Sequence, residues 1–138
     1  MLAELAGDRQ LAIGIGQAEA FSLAARLGGM EWRRPMTYQF AAALVQALGG
    51  RVRQVRIERV LEGNYIATVE VEGPPGVQPV DARPSDALNL TALVQAPIFA
   101  APEVLQEAEA GRQGDSPEAA RLRRALEAPP ITVGTMGM

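Results

Sequence analysis

The sequence contains no cysteine, no histidine and no lysine, and each absence removes a class of chemistry. Without cysteine and histidine, the chain cannot build a serine-protease triad, a thiolate nucleophile or a Cys/His zinc site from its own residues. It cannot form a Schiff base either, since all 13 cationic side chains are arginines. Acid-base or metal chemistry must therefore rest on Asp, Glu, Tyr, Ser, Thr or Arg.

The chain also lacks an excess of positive charge and a long apolar run. Its 13 cationic and 16 anionic side chains give a net charge of −3, which argues against a protein that coats nucleic acid by bulk electrostatics. These totals do not exclude a local basic patch on the surface. No stretch approaches the roughly 20 apolar residues of a membrane span, and the first residues lack the basic region of a signal peptide. We therefore expect a cytoplasmic protein with no membrane segment.

The composition that remains is that of a soluble globular domain. The 138 residues are 48% hydrophobic and 21% charged, and a chain of this size buries roughly two-thirds of its unfolded surface on folding. The pattern predicts one domain over residues 1–110. Residues 111–138 are predicted to form a linker, a last helix at 116–128 and a tail with Ile131 and Val133. We expect this segment to dock on the domain or on a partner chain.

The first half of the chain predicts one strand and two helices. The apolar run at residues 11–16 indicates a buried strand, and helical spacing over 17–27 is stopped by Gly28. Thr37 is placed to cap a second helix. The apolar stripe of that helix consists of Phe40, Ala41, Leu44, Val45 and Leu48.

The second half predicts a hairpin followed by alternating helices and short strands. In chain order we expect a hairpin at 51–72 turning at 62–64, a returning strand at 77–80, a helix at 85–94, a buried segment at 97–99 and a helix at 102–109. Ser85 is expected to cap the helix that follows it. The whole pattern predicts an α+β fold, in which a mixed or antiparallel sheet packs against helices.

The densest group of polar side chains lies where a strand leads into a helix, at Asp81, Arg83, Ser85 and Asp86. A helix N-terminus offers unpaired N–H groups to an anion, so Arg83 is placed to hold a phosphate there. Asp81 and Asp86 carry the oxygen ligands that a hard divalent cation prefers. The structural alternative makes Ser85 and Asp86 caps and pairs Arg83 with Asp81. Spacing alone favours this alternative, because most helix starts have such a composition.

Glu19 is a second candidate carboxylate, in the first turn of the first helix. First-turn acids are common because they suit the helix dipole, so Glu19 alone indicates little.

Five motifs, in order and spacing, resemble the bifunctional nuclease (DNase-RNase) domain family. They are Ile15-Gly16-Gln17-Ala18-Glu19-Ala20, Arg34-Pro35-Met36-Thr37, Tyr65-Ile66-Ala67, Asp81-Ala82-Arg83-Pro84-Ser85-Asp86-Ala87 and Ala96-Pro97-Ile98-Phe99. The resemblance covers roughly residues 11–108. It implies an α+β domain that forms homo-oligomers and hydrolyses DNA and RNA.

Combined with this resemblance, the candidate residues predict an enzyme that depends on a divalent metal. In this interpretation Glu19, Asp81 and Asp86 hold Mg²⁺ or Mn²⁺, and a metal-bound water is the nucleophile. The phosphate is bound by Arg83 and Arg34, with Ser85 and Thr37 as further contacts.

The chain departs from the family at two of the most plausible catalytic positions. Family members usually carry His-Asp where this sequence has Tyr38-Gln39. Tyr38 is a poor base, since the unperturbed pKa of tyrosine is about 10. Only a short segment precedes the first motif, which suggests a divergent, N-terminally shortened member. The alternative function is therefore a catalytically inactive oligomeric module that binds an anionic ligand, nucleic acid or a partner protein.

Overall fold

The computed structural model describes residues 1–5, 7–113 and 131–136. Within these ranges the chain forms seven strands and four helices. They are β1 (Leu2–Glu4), β2 (Gln10–Leu11), α1 (Gln17–Leu27), α2 (Thr37–Ala47), β3 (Arg51–Leu61), β4 (Asn64–Gly73), β5 (Gly76–Ala82), α3 (Pro84–Val94), β6 (Ile98–Ala100), α4 (Pro102–Gln113) and β7 (Ile131–Thr135). The helix predicted at residues 116–128 lies outside the described residues.

The strands form one mixed sheet in the order β2-β1-β7-β6-β3-β4-β5. The three central pairings β1-β7, β7-β6 and β6-β3 are parallel, and the outer pairings are antiparallel. The predicted α+β fold with a mixed sheet is confirmed. β6 follows α3 and β7 comes after α4 in the chain, which allows parallel pairing, whereas β3, β4 and β5 follow one another through tight turns and pair antiparallel.

The β3-β4 hairpin turns where the sequence predicts it. Glu62 and Gly63 both have positive φ, 50° and 78°, as a two-residue turn of the primed type requires. Irregularities between Val52 and Gln54, and again between Ile57 and Arg59, bend β3. The bend lets the apolar side of the hairpin curve over the helices.

The predicted strand at residues 11–16 is wrong in its extent. Only Gln10–Leu11 is a strand, paired with Ala3 and Leu2 of β1. β1 has three residues, so the chain after Leu11 finds no strand to pair with and continues as an irregular segment into α1. An apolar run specifies burial, but a ladder also needs a partner of matching length.

Both predicted helix caps are displaced. The N-cap of α2 is Met36, whose backbone N–H donates to Gln39 Oε1 at 3.2 Å, and Thr37 is the first helical residue. The N-cap of α3 is Arg83, because Pro84 occupies the first helical position that its fixed φ favours. Ser85 is consequently a buried residue within the helix.

The core lies between the sheet and the helices α3 and α4. Its largest fully buried side chains are Leu2, Leu11, Val55, Ile57, Val104, Leu105 and Val133. Helix α1 lies beside α3 in the same direction, since its first turn contacts the first turns of α3 and Arg26 near its end reaches the carbonyls of Ala92 and Leu93 at 3.5 Å. This arrangement brings the N-terminal ends of α1 and α3 together.

The tail residues that the structure describes belong to the sheet. Strand β7 pairs with β1 and β6, and Val133 is fully buried. Glu4 of β1 stands beside this strand and accepts two hydrogen bonds from Arg9, at 3.0 and 2.6 Å. Arg9 is the main reason that the pKa of Glu4 is lowered to about 2. Within the described ranges, no helix has the length and apolar character needed to cross a membrane.

Candidate functional site

The first turns of α1, α2 and α3 meet around one cleft of about 350 Å³. We call it the Arg83 cleft, because the Arg83 side chain lies between the other polar groups. Its lining residues are Ala18, Glu19, Phe21, Ser22, Trp32, Met36, Thr37, Tyr38, Arg83 and Asp86. Each helix start contributes unpaired backbone N–H groups and the positive end of its dipole, so the cleft combines three favourable positions for negative charge.

Arg83 binds two carboxylates at once. Its Nε donates to Asp86 Oδ2 at 2.8 Å, and its Nη2 donates to Asp86 Oδ1 at 3.0 Å and to Glu19 Oε1 at 3.1 Å. These contacts raise the pKa of Arg83 and lower the pKa of Asp86, with the Arg83 hydrogen bond as the largest cause for Asp86. The bonds leave Nη1 without a partner in the described part of the chain, so a further anion can be bound there.

Tyr38 connects α2 to the ion pair between Arg83 and Asp86. Its hydroxyl donates a hydrogen bond to Asp86 Oδ1 at 2.7 Å. Burial is the main cause that raises the pKa of Tyr38, and the hydrogen bond to Asp86 adds to it. Tyr38 is therefore a neutral hydrogen-bond donor at physiological pH, held at the position where family members usually carry histidine.

The buried side chain of Asn89 holds the backbone of Glu19 in place. The amide of Asn89, which is 2% exposed, donates to the backbone carbonyls of Glu19 at 3.1 Å and of Ser85 at 2.9 Å. Asn89 thus ties the first turn of α1 to the first turn of α3. Gly16 leaves room for the Glu19 carboxylate, since a Cβ at position 16 would collide with Oε2.

One wall of the Arg83 cleft is apolar and exposed. The rings of Phe21 and Trp32 pack with centroids 6.1 Å apart and an angle of 54° between their planes, and Met36 lies beside them. Aromatic faces of this kind can stack on a nucleobase. The cleft thus offers a hydrogen-bonding floor and an apolar wall.

The predicted site residues separate into two groups. Glu19, Thr37, Arg83 and Asp86 line the cleft together. Asp81 and Ser85 instead line a second hollow on the other side of Arg83, of about 550 Å³.

Arg34 is not brought into either hollow. It is exposed, and it does not line the cleft that Arg83 occupies. The Arg-Pro pairs at 34–35 and 83–84 also differ in position, because Arg83 is an N-cap whereas Arg34 precedes the N-cap Met36. The phosphate contact expected from Arg34 is therefore not part of the described cleft.

The described residues do not fit the three-carboxylate metal set. No group of three or more Asp and Glu side chains in the described ranges is placed to share a cation. Asp81 lines the other hollow, apart from Glu19 and Asp86, and both of the latter form ion pairs with Arg83. A divalent cation between Glu19 and Asp86 would have to displace the Arg83 guanidinium that both carboxylates bind.

Some contacts in the cleft are not indicated by the sequence pattern. Nothing in the spacing relates Tyr38 to Asp86, 48 residues later, or Asn89 to Glu19. One signal was present: Glu19, Gln39 and Asp86 each stand three residues after an N-cap, so the three helices begin in a similar way. That pattern marks helix starts, whereas their convergence depends on the sheet.

The fold and the cleft define an α+β domain whose helix N-termini and one guanidinium surround a partly apolar hollow. Comparison with known proteins identifies the family to which this domain belongs. The family model of the bifunctional nuclease domain matches residues 1–113, and the chain belongs to that family. It is thus a nuclease-like domain.

Two proteins of Mycobacterium tuberculosis, from strains CDC 1551 and H37Rv, are similar to this chain. Each is 37% identical over 108 residues, which cover 78% of this chain and 64% of the relative. The chain therefore spans less than two-thirds of the length of these relatives. Both bear the name "Uncharacterized protein", so they do not identify a substrate.

Proposed function

We propose that this protein binds nucleic acid at the Arg83 cleft and cleaves its phosphodiester bonds. The observation that carries the proposal is the meeting of three helix N-termini around Arg83, beside an aromatic wall. The backbone N–H groups and the guanidinium suit the phosphate, and the wall formed by Phe21 and Trp32 suits a neighbouring base. Membership of the nuclease domain family supports the same class of ligand.

The roles of the polar side chains follow from their contacts. Arg83 would bind the phosphate through Nη1 while Glu19 and Asp86 hold its other nitrogens in position. As negative charge develops on the phosphate during cleavage, the same guanidinium stabilises it. Glu19 is the proton acceptor, because its second oxygen is not used by Arg83.

The test compares Arg83→Ala with Arg53→Ala in a binding titration with a labelled single-stranded oligonucleotide at fixed salt. Arg53 is an exposed arginine on β3, away from the cleft. Its replacement by alanine therefore removes one positive charge outside the proposed site. We expect Arg83→Ala to weaken binding about tenfold or more, the value of one charge-assisted hydrogen bond, and Arg53→Ala to change it little. Equal losses in the two folded variants would contradict the assignment.

A second candidate function is a homo-oligomeric module, and the exposed face of α2 favours it. Four large apolar side chains at intervals of four residues form a continuous ridge: Met36, Phe40, Leu44 and Leu48, which are 48, 58, 49 and 80% exposed. With Phe21 and Trp32, roughly half exposed and about 200 Å² each, the surface offered is about 600 Å². A standard interface buries about 800 Å² per partner, so this face approaches what a dimer needs.

A second copy of the chain suits this ridge better than a charged partner. Helix α2 contains no charged residue, and its last turn lacks a basic group. In an antiparallel pair of α2 helices, Arg33 and Arg34 before one helix would lie near the negative C-terminal end of the other. The large ridge would also pack against the small exposed side chains Ala43 and Ala47 of the second copy.

A further inference from the structure

The second hollow, on the other side of Arg83, is lined by polar groups that the proposed function does not use. Asp81 is exposed near the end of β5, and its carboxylate forms no ion pair or hydrogen bond with the residues that the structure describes. Ser85 is only 7% exposed, yet its hydroxyl has no hydrogen-bond partner in the same part of the chain. Side-chain polar groups in so deeply buried a residue ordinarily have a partner, so Ser85 indicates that a ligand binds in this hollow.

The walls of the second hollow suit a flat, partly apolar ligand. They include Ile13 and Ile15 in the irregular segment between β2 and α1, Ile66 of β4, and Pro84. The space beside Gly14 is open, since a Cβ at that position would meet no other part of the chain within 4 Å. The hollow measures about 550 Å³, which is a usual size for a small-molecule site. A planar ring with polar groups along one edge meets these requirements.

Asp81 and Ser85 distinguish one planar ring from another by hydrogen bonding. The two oxygens of a carboxylate can accept from two neighbouring donors, and guanine is the nucleobase that presents two, N1–H and N2–H, on its Watson–Crick edge. Beside them lies the acceptor O6, to which a serine hydroxyl can donate. Adenine, cytosine, thymine and uracil each offer one donor group on that edge. We propose that the second hollow is a guanine-binding site, in which Asp81 accepts from N1–H and N2–H while Ser85 donates to O6.

Arg83 favours a nucleotide over a cationic side chain as the ligand of Asp81. It lines both hollows, so its positive charge disfavours an ammonium or guanidinium group there and favours a phosphate beside a neutral base. The guanine can belong to a free nucleotide or to a strand whose phosphate binds Arg83. In a strand, the base on the other side of that phosphate would lie at the wall formed by Phe21 and Trp32. The inference goes beyond the proposed function, because it assigns base selection to a separate hollow and requires no cleavage.

The experiment measures binding of labelled single-stranded thymine tetramers that carry one internal guanine, adenine, hypoxanthine or 7-deazaguanine. Fluorescence anisotropy is recorded with the full chain at fixed salt in EDTA, and mass spectrometry checks that each strand stays intact. We expect guanine to bind about tenfold or more tightly than adenine, the value of one hydrogen bond to a charged group. Hypoxanthine lacks the 2-amino group and should fall between them. 7-Deazaguanine keeps the Watson–Crick edge and should match guanine.

Calorimetry with GMP and AMP distinguishes the two sources of the base. Heat of binding from GMP, with none from AMP, would show that the free nucleotide is a ligand. Guanine-selective binding of the tetramers without binding of GMP would show that the site takes guanine only within a strand. Both results support a guanine site.

Two variants assign the preference to the second hollow. Asp81→Asn should weaken binding of the guanine tetramer about tenfold and leave the adenine tetramer unchanged, because the amide nitrogen would face a donor of guanine. Ser85→Ala should weaken the guanine tetramer about fivefold, the value of one neutral hydrogen bond. Asp8→Asn is the matched control, since Asp8 is exposed and lies outside the hollow. Circular dichroism checks that each variant folds. A merely structural role of Asp81 would weaken both tetramers alike.

The remaining outcomes separate this inference from the proposed function. Equal binding of guanine and adenine by the parent chain, or a guanine preference that survives Asp81→Asn, would overturn the inference and leave the nuclease proposal standing. A guanine preference that depends on Asp81, with binding undiminished in Arg83→Ala, would support the inference and contradict the proposed function. If neither the tetramers nor GMP bind, both proposals fail.

Discussion

At the level of single residues, the cleft depends on one arginine whose charge is shared. Arg83 holds Glu19 and Asp86 in fixed positions, and Tyr38 joins the same group through Asp86. The residue types at this corner were predictable, because Arg83 and Asp86 stand at a helix start in the sequence. Their partners were not, because contacts across 48 and 64 residues depend on the tertiary packing.

Asn89 gives the first prediction, since its buried amide joins the two helices that carry Glu19 and Arg83. Asn89→Ala should lower the free energy of unfolding by about 1–3 kcal/mol, because two backbone carbonyls lose their donor. It should also weaken oligonucleotide binding in the fraction that remains folded. Denaturant unfolding measures the first effect, with Gln46→Ala on the exposed side of α2 as the matched amide control. An equally small change in both variants would show that Asn89 does not hold the helices together.

At the level of the elements, periodicity located the helices and the hairpin but not the side of each helix that is covered. Helix α1 and the β3-β4 hairpin occur within a residue or two of their predicted bounds. Phe40, which the spacing places on the apolar stripe of α2, is exposed instead, and Phe21 of α1 is exposed as well. Leu23 and Ala25 are the buried residues of α1. An apolar position indicates that a side chain is suited to burial, whereas its partner is set by the arrangement of the other elements.

The pairing of β1 with β7 gives a prediction on pH dependence. The folded-state pKa of Glu4 is about 2, below the ordinary glutamate value of 4.5, chiefly because Arg9 donates two hydrogen bonds to its carboxylate. A carboxyl group with a lowered pKa stabilises the fold fully above its unfolded pKa. This contribution is lost as the pH falls from about 4.5 toward 2.

Glu4→Gln should therefore show a shallower loss of stability than the parent chain over that acidic range. Urea unfolding at a series of pH values measures the difference, and Glu58→Gln on β3 serves as a carboxylate that does not contact β7. Parallel curves for the parent chain and Glu4→Gln would show that the Glu4–Arg9 pair does not stabilise the sheet.

At the level of the whole molecule, the sheet order could not be derived from the sequence. The hairpin and β5 follow directly from local pattern, because each strand pairs with the one before it. The insertion of β7 between β1 and β6 joins residues from opposite ends of the chain, and the tail pattern indicated only that Ile131 and Val133 need a covered position. The same global packing leaves the ridge of α2 uncovered.

The ridge leads to the prediction that the chain self-associates through α2. Light scattering at micromolar concentration should give a mass above that of one chain, and Phe40→Glu with Leu44→Glu should return it to the monomer, because two buried charges would face each other across the interface. Val77→Glu on the exposed strand β5 is the control for added charge elsewhere. A monomeric parent chain would remove this proposal.

The most direct test of the central claim uses Trp32, the single tryptophan of the chain, which lines the Arg83 cleft. Fluorescence of Trp32 is followed while a single-stranded oligonucleotide is added, and anisotropy of a label on the oligonucleotide reports binding independently. We predict a saturable change in Trp32 fluorescence with the same midpoint as the anisotropy change, weakened together by Arg83→Ala and not by Arg53→Ala. Binding that leaves Trp32 unchanged, or that survives Arg83→Ala undiminished, would contradict the assignment of this cleft as the nucleic-acid site.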